Sequence, residues 1–182
     1  MNEHAATKPT IYLLRHAHAA WANPGQRDFD RPLNERGIED ANLVADAFAR
    51  YPLLPLLILC STAKRCQQTC EIFLSKLPNN PQVQNRDEIY GNDHRYYVRL
   101  LASQTETPVM LIGHNPMMED TTRALTSSAG RPAAERLEKG FPTRGVATIQ
   151  FDVGMANIQH GGHLSEFLSP KRLRKSALKL DN

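Results

Sequence analysis

Apolar runs of strand length, alternating with stretches of helical periodicity, predict an α/β protein with three layers, α/β/α, around a mostly parallel, doubly wound sheet. Three observations predict it. Ile11-Tyr12-Leu13-Leu14, Leu56-Leu57-Ile58-Leu59-Cys60 and the run from Pro108 to Gly113 are short and almost continuously apolar, as strands buried on both faces are. Each is followed, directly or after a loop, by a segment whose apolar residues recur at helical spacing. The serial order of strand, helix, strand and helix is the one a parallel sheet covered on both faces requires.

The first strand ends abruptly in Arg15-His16, and periodicity is then lost. Residues 22–32 are dense in Pro, Gly and Asp and read as a loop; such a length after an Arg-His pair suits the wall of a site. Asn34 is placed to cap a helix, with Glu35 in its first turn and Ile38, Ala41, Ala45 and Phe48 at helical spacing, ending near Tyr51. Pro52 and Pro55 separate it from the second strand. Ser61 or Thr62 is expected to cap the following helix, whose apolar stripe is Ala63, Cys66, Cys70, Phe73, Leu74 and Leu77. Arg65 lies in its first turn, off that stripe and beside a helix N-terminus that favours anions.

Pro78 to Pro81 is a turn, Gln82 to Ile89 a weaker extended segment, and Asp93 to Ala102 a helix. The strand from Pro108 to Gly113 ends in His114, with Asn115 as N-cap and Pro116 opening a helix that ends near Leu125. The pattern from Gly130 to Arg144 is mixed. Val146 to Asp152 alternates as a strand does, and Leu164 to Leu168 reads as a shorter one. No repeat or linker divides the chain, so 1–182 is expected to be one domain, with a polar tail over 1–9 and a basic tail over 170–182.

Composition narrows the function classes. The 182 residues carry 22 Lys and Arg against 19 Asp and Glu, a surplus of +3 that is too small to argue for nucleic acid and is compatible with a compact anion. Cys60, Cys66 and Cys70 form an odd, clustered set with no signal-like segment ahead of them, which points to a reducing, cytoplasmic setting. No window is apolar enough to suggest a membrane span. Nothing fixes an oligomeric state.

Three strands thus end at one edge in Arg15-His16, in Arg65 one turn on, and in His114. Guanidiniums that converge repel one another unless an anion sits between them, and a phosphoryl group suits their planar forks. Imidazole is largely unprotonated near neutral pH and is a competent nucleophile. Two histidines with different neighbours can divide the labour, one neutral and attacking, one positive and stabilising.

These residues carry a resemblance. Leu14-Arg15-His16-Ala17 resembles the Arg-His-Gly signature of the histidine phosphatase superfamily, with Ala17 where many relatives have Gly. Leu33-Asn34-Glu35-Arg36-Gly37 is similar to its Leu-Thr-x-x-Gly helix start. The segment Cys60 to Thr69 resembles its Ser-x-x-x-Arg-x-x-Gln-Thr block, and Ile112-Gly113-His114-Asn115-Pro116 its second histidine. Within the superfamily the short SixA-type phosphohistidine phosphatases look nearest, through Asp28 to Leu33, the Gly-His-Asn-Pro form and Phe141-Pro142-Thr143. The resemblance implies a phosphoglycerate mutase-like fold, with His16 attacking phosphorus and becoming transiently phosphorylated. Arg15, Arg65 and His114 would hold the phosphoryl oxygens, Asn115 and His18 would contact the substrate, and neither metal nor cofactor would be required. The implied partner is a phosphorylated protein or a small phosphorylated molecule, with no nucleic acid and no membrane.

Larger members of the family supply an acidic proton donor between the second and third blocks. Here that interval is short and offers Asp87, Glu88, Asp93 or none. Imidazole, with a pKa of about 6.5, leaves far more easily than an alkoxide, so phosphohistidine in a protein fits a donor-poor site. A small phosphate ester or anhydride, or a phosphate-binding module without turnover, are the alternatives. Cys60 and Arg65 are one residue too close in sequence for a cysteine-phosphatase loop, and Cys66 and Cys70 fall on an apolar helix face as core residues do. His160 and His163 have ligand-like spacing but lack acidic or cysteine neighbours and read as a solvated turn. His94, Trp21 and Tyr90 are placed either at the pocket edge or in packing.

Overall fold

A computed structural model describes residues 8–142, 144–159 and 161–177. The strands are β1 (Thr10–Arg15), β2 (Leu57–Ser61), β3 (Gln82–Arg86), β4 (Val109–Gly113), β5 (Thr126–Ala129), β6 (Val146–Gln150) and β7 (Gly162–Leu168). They form one sheet in the order β3-β2-β4-β1-β6-β7-β5. Only β6 runs against its neighbours, antiparallel to both β1 and β7; β3, β2, β4 and β1 pair in parallel, as do β5 and β7.

Period-two alternation along β1 distributes its side chains between two cores. Tyr12 and Leu14 face α1 (Glu35–Phe48), α2 (Lys64–Leu74) and α7 (Pro170–Ala177), packing with Val44, Phe48, Cys66, Phe73 and the half-buried Leu173. Ile11 and Leu13 face the helices of the other layer: α3 (Glu88–Gly91), α4 (His94–Ala102), α5 (Met117–Leu125) and α6 (Arg131–Glu138). Tyr12 meets Phe48 edge to face at 4.9 Å and donates its buried hydroxyl to the Leu53 carbonyl at 2.6 Å, so its polar tip costs the core nothing. This is the expected three-layer arrangement.

Several local expectations are corrected. The core stripe of α1 is Ala41, Val44, Ala45 and Phe48; Ile38 is 43% exposed and the helix stops at Phe48. Neither Ser61 nor Thr62 caps α2, whose N-cap is Ala63 with no side-chain bond. Thr62 donates to Asp87 instead, at 2.6 Å. Asn115 is not the cap of α5, which begins at Met117 with Pro116 at the cap position. The segment expected to be extended as far as Ile89 bends into the short α3, because Ile89 is buried against the sheet. The mixed stretch after Gly130 contains α6, and just before it β5 adds an unexpected, half-exposed polar edge strand. The basic tail is helical over 170–177.

Candidate active site

Register brings the functional groups together. Arg15 pairs with Gly113 and Cys60 with Ile112, so β1, β2 and β4 finish side by side. The next residues, His16 and His114, stand with ring centroids 5.1 Å apart. The His16 amide donates to the Gly113 carbonyl at 3.1 Å, carrying the parallel ladder one residue past the strand.

Hydrogen bonding fixes the His16 tautomer. Nδ1 lies 2.6 Å from the Ala17 carbonyl, which can only accept, so Nδ1 carries the proton and Nε2 the lone pair. Nε2 accepts from Arg65 Nε at 3.3 Å. Burial, aided by the charges of Arg65 and Arg15 and opposed by the Ala17 carbonyl, pushes the His16 pKa down to about 4. His114 Nδ1 faces Arg65 Nη2 at 3.3 Å, so it accepts, and its Nε2–H donates to Ser61 Oγ at 2.9 Å. Burial, then His16 and Arg65, push it down to about 3. Both imidazoles are thus pushed toward the neutral form.

Arg65 lies between the two rings. It donates Nη1 to the Asp28 carbonyl at 2.6 Å and Nη2 to the Asp28 carboxylate at 2.9 Å. Desolvation works against the charge of Asp28, but hydrogen bonds from Arg31, Tyr90 and Arg65 and the Arg65 charge prevail, holding it down at about 2. Tyr90 donates its hydroxyl to Asp28 at 3.1 Å and presents its edge to His114, with centroids 5.4 Å apart. Positioning comes from the same sequence blocks. Thr69 Oγ1 accepts from the Ala17 amide at 3.1 Å and donates to the Arg65 carbonyl at 2.7 Å, tying α2 to the end of β1. Gln68 Oε1 accepts from the Leu33 amide at 2.7 Å, and a Cβ on Gly37 would lie 2.2 Å from the His18 carbonyl oxygen, so only glycine fits there.

An open depression of about 310 Å³ lies over these groups, walled by Arg15, His16, His18, Arg31, Asn34 and Arg65. Trp21, 92% exposed, stands at its rim. His114 is buried and does not line the depression. Asn115 does not line the depression; its Oδ1 is buried without a hydrogen-bond partner among the described residues. Asp87 binds Thr62, and Asp93 caps α4 through the Tyr96 amide. Neither Asp87, Glu88, Asp93 nor His94 borders the depression. Cys60, Cys66 and Cys70 are buried free thiols, Cys66 lying 3.5 Å from His114 Nε2. His163 is within 3.0 Å of Ser128 Oγ, and His160 lies outside the described residues. Sequence reasoning missed Asp28, Arg31, Asn34 and Ser61 as site residues. Asp28 sits in the loop expected to form a wall, yet only the one-turn helix Asp28–Asp30 decides that it faces inward while Asp30 pairs outward with Arg27.

Comparison with known proteins agrees with this architecture. Residues 11–90 match the family model of the histidine phosphatase superfamily, branch 1. A candidate phosphohistidine phosphatase SixA from Agrobacterium tumefaciens is 40% identical, covering 90% of this chain and 99% of its own, with a TM-score of 0.75. An uncharacterised protein of Mycobacterium tuberculosis is 30% identical over 153 residues, 81% of this chain and 93% of its own length. The protein histidine phosphatase SixA solved with tungstate shares the fold at 21% identity, with a TM-score of 0.73 over 90% of this chain and 99% of that one. Together with the Arg15-His16, Arg65 and His114 constellation, these matches establish that the chain belongs to the histidine phosphatase superfamily.

Proposed function

We propose that the protein is a phosphatase that uses His16 as nucleophile and hydrolyses phosphohistidine carried on a protein. The observation that carries this reading is the His16 tautomer. With Nδ1–H committed to the Ala17 carbonyl, the lone pair at Nε2 belongs to a ring that stays neutral down to about pH 4. Nε2 attacks phosphorus, the bond from phosphorus to the leaving group breaks, and the electron pair departs with that group. Water then attacks the phosphorus of the enzyme-bound phosphohistidine, releasing phosphate and restoring the lone pair on Nε2.

Arg65 moves from Nε2 to the phosphoryl oxygens, since a contact of 3.3 Å to a neutral ring is weaker than one to a dianion. Arg15 supplies the second guanidinium, while the two bonds from Arg65 to Asp28 limit how far the Arg65 fork travels as it turns to the phosphoryl oxygens. A bound dianion also favours the protonated form of His114, which then donates toward the developing charge. The reaction as written takes its positive charge from protein groups. None of Asp87, Glu88 and Asp93 faces the depression, and Asp28 is held ionised. A site so poor in proton donors suits an imidazole leaving group over an alkoxide. The 40% identity to a candidate SixA supports the same substrate class.

The test is phosphate release by the purified full chain from a histidine-phosphorylated carrier protein. A phosphoserine peptide and an aryl phosphate run beside it, with His16→Ala as control. Turnover of the phosphoprotein far above the other two, absent in His16→Ala, is expected. Activity on the aryl phosphate alone moves the substrate to small molecules, and loss of all turnover with phosphate still bound makes the chain a binding module.

A further inference from the structure

Beside the candidate active site lies a second cluster of charge that the proposed chemistry does not use. Asp40, in the middle of α1, has no exposed surface. Three guanidiniums from three parts of the chain surround its carboxylate: Arg36 at 4.0 Å, Arg144 from the turn before β6, and Arg174 from α7. A buried carboxylate requires partners to offset its lost hydration, but one or two suffice. Among the described residues, Asp40 is the only carboxylate within salt-bridge distance of any of the three. The cluster therefore carries more positive than negative charge. The surplus is also held in place: Arg144 has a backbone φ of +60°, a left-handed conformation that costs a non-glycine residue energy, and its bond to Asp40 offsets that cost.

The cluster borders the depression. Gly145, next to Arg144, accepts the Arg15 amide at 3.2 Å. His18, in the wall, lies close enough to feel Arg144, Arg36 and Arg15 as like charges. The Arg36 and Arg174 side chains are 71% and 50% exposed, so the surplus faces solvent and is not enclosed around a small ligand. The rim also carries the exposed indole of Trp21, the residue type that most often anchors protein interfaces. Small-molecule sites are concave and enclosing; a charged, spread and open rim with an aromatic anchor fits a second protein.

We propose that Arg36 and Arg174, gathered by Asp40 around the mostly buried Arg144, form with Trp21 a docking surface for an acidic protein that presents its phosphohistidine to His16. The inference rests on the phosphoprotein reading above and names what recognises the protein around the phosphate. Rim charges act mainly on association, so the surface governs KM and its salt dependence more than turnover.

The test measures steady-state kinetics of the full chain on an acidic, histidine-phosphorylated carrier protein and on an aryl phosphate. Arg36→Glu is expected to raise KM for the phosphoprotein about tenfold and to leave the aryl phosphate kinetics unchanged. Arg174→Gln, which adds no negative charge beside Asp40, gives a smaller rise in the same direction and serves where Arg36→Glu fails to fold. Added salt raises the wild-type KM for the phosphoprotein more than that of either variant. Equal phosphoprotein KM and equal salt response in wild type and both variants overturn the docking surface while leaving the phosphohistidine reading intact. Wild-type turnover of the aryl phosphate without turnover of the phosphoprotein overturns both.

Discussion

Acidification from pH 7.5 to 4.5 acts on the two buried imidazoles. His16 titrates at about 4 and His114 at about 3 in the folded protein, against an ordinary value of 6.5. Between these limits the unfolded chain binds protons that the folded chain refuses, so stability falls as pH drops below 6.5. A tenfold discrimination against the proton is worth about 1.4 kcal/mol, which places the loss at pH 4.5 at about 2–3 kcal/mol for each ring. Together that is a large part of the 5–15 kcal/mol that stabilises a typical domain. Asp28 has the opposite sign: its folded value, about 2 against 3.8, stabilises above 3.8 and is lost as pH falls through 2, outside this window. Urea unfolding followed by circular dichroism at the two pH values measures the loss. His16→Gln and His114→Gln remove the titrations, and each is expected to shrink the difference between pH 7.5 and 4.5 by about 2–3 kcal/mol. A double variant that loses as much stability on acidification as the wild type would refute the reasoning.

Other perturbations follow from the same geometry. Arg65→Lys loses the fork that reaches His16, His114 and Asp28 at once, and kcat/KM on the aryl phosphate is expected to fall by about 10²–10³. Ser61→Ala leaves the buried His114 Nε2–H with only the weakly accepting Cys66 sulfur at 3.5 Å, costing about 1–3 kcal/mol in denaturant unfolding with the fold retained. Gly37→Ala drives a Cβ into the His18 carbonyl, 2.2 Å away, and is expected to cost about 1–3 kcal/mol and to lower turnover by displacing the chain after His16, checked by unfolding and kinetics together.

Much of this was legible in the sequence because burial on both faces leaves a plain mark. The core of β1, β2 and β4 is a continuous apolar run, and the residues that end or follow them, Arg15-His16, Arg65 and His114, stand out by contrast. What was not legible depended on partners distant in the chain. Ser61 reads as a helix cap, but its hydroxyl faces His114, 53 residues on. Ile38 keeps helical spacing yet lies on the solvent side, because the inward arc of α1 is set by α2 and β1. The strand β5 has the polar composition of a loop and exists only through its pairing with β7. Asp28 and Asp30 are equivalent as sequence, and one turn of helix separates their fates.

The spacing of the two imidazoles has a mechanical consequence. Their 5.1 Å separation is close to the roughly 4.8 Å between adjacent strands, since each ring follows the last residue of a neighbouring strand in a continuous ladder. The separation of the two imidazoles is thus gauged by backbone hydrogen bonds in the fully buried centre of the sheet. The surrounding loops can lengthen, swing open or exchange residues without altering it. Amide hydrogen exchange at His16, whose N–H is the last rung of that ladder, should then proceed only through global unfolding, while the segment around Trp21 exchanges through local opening.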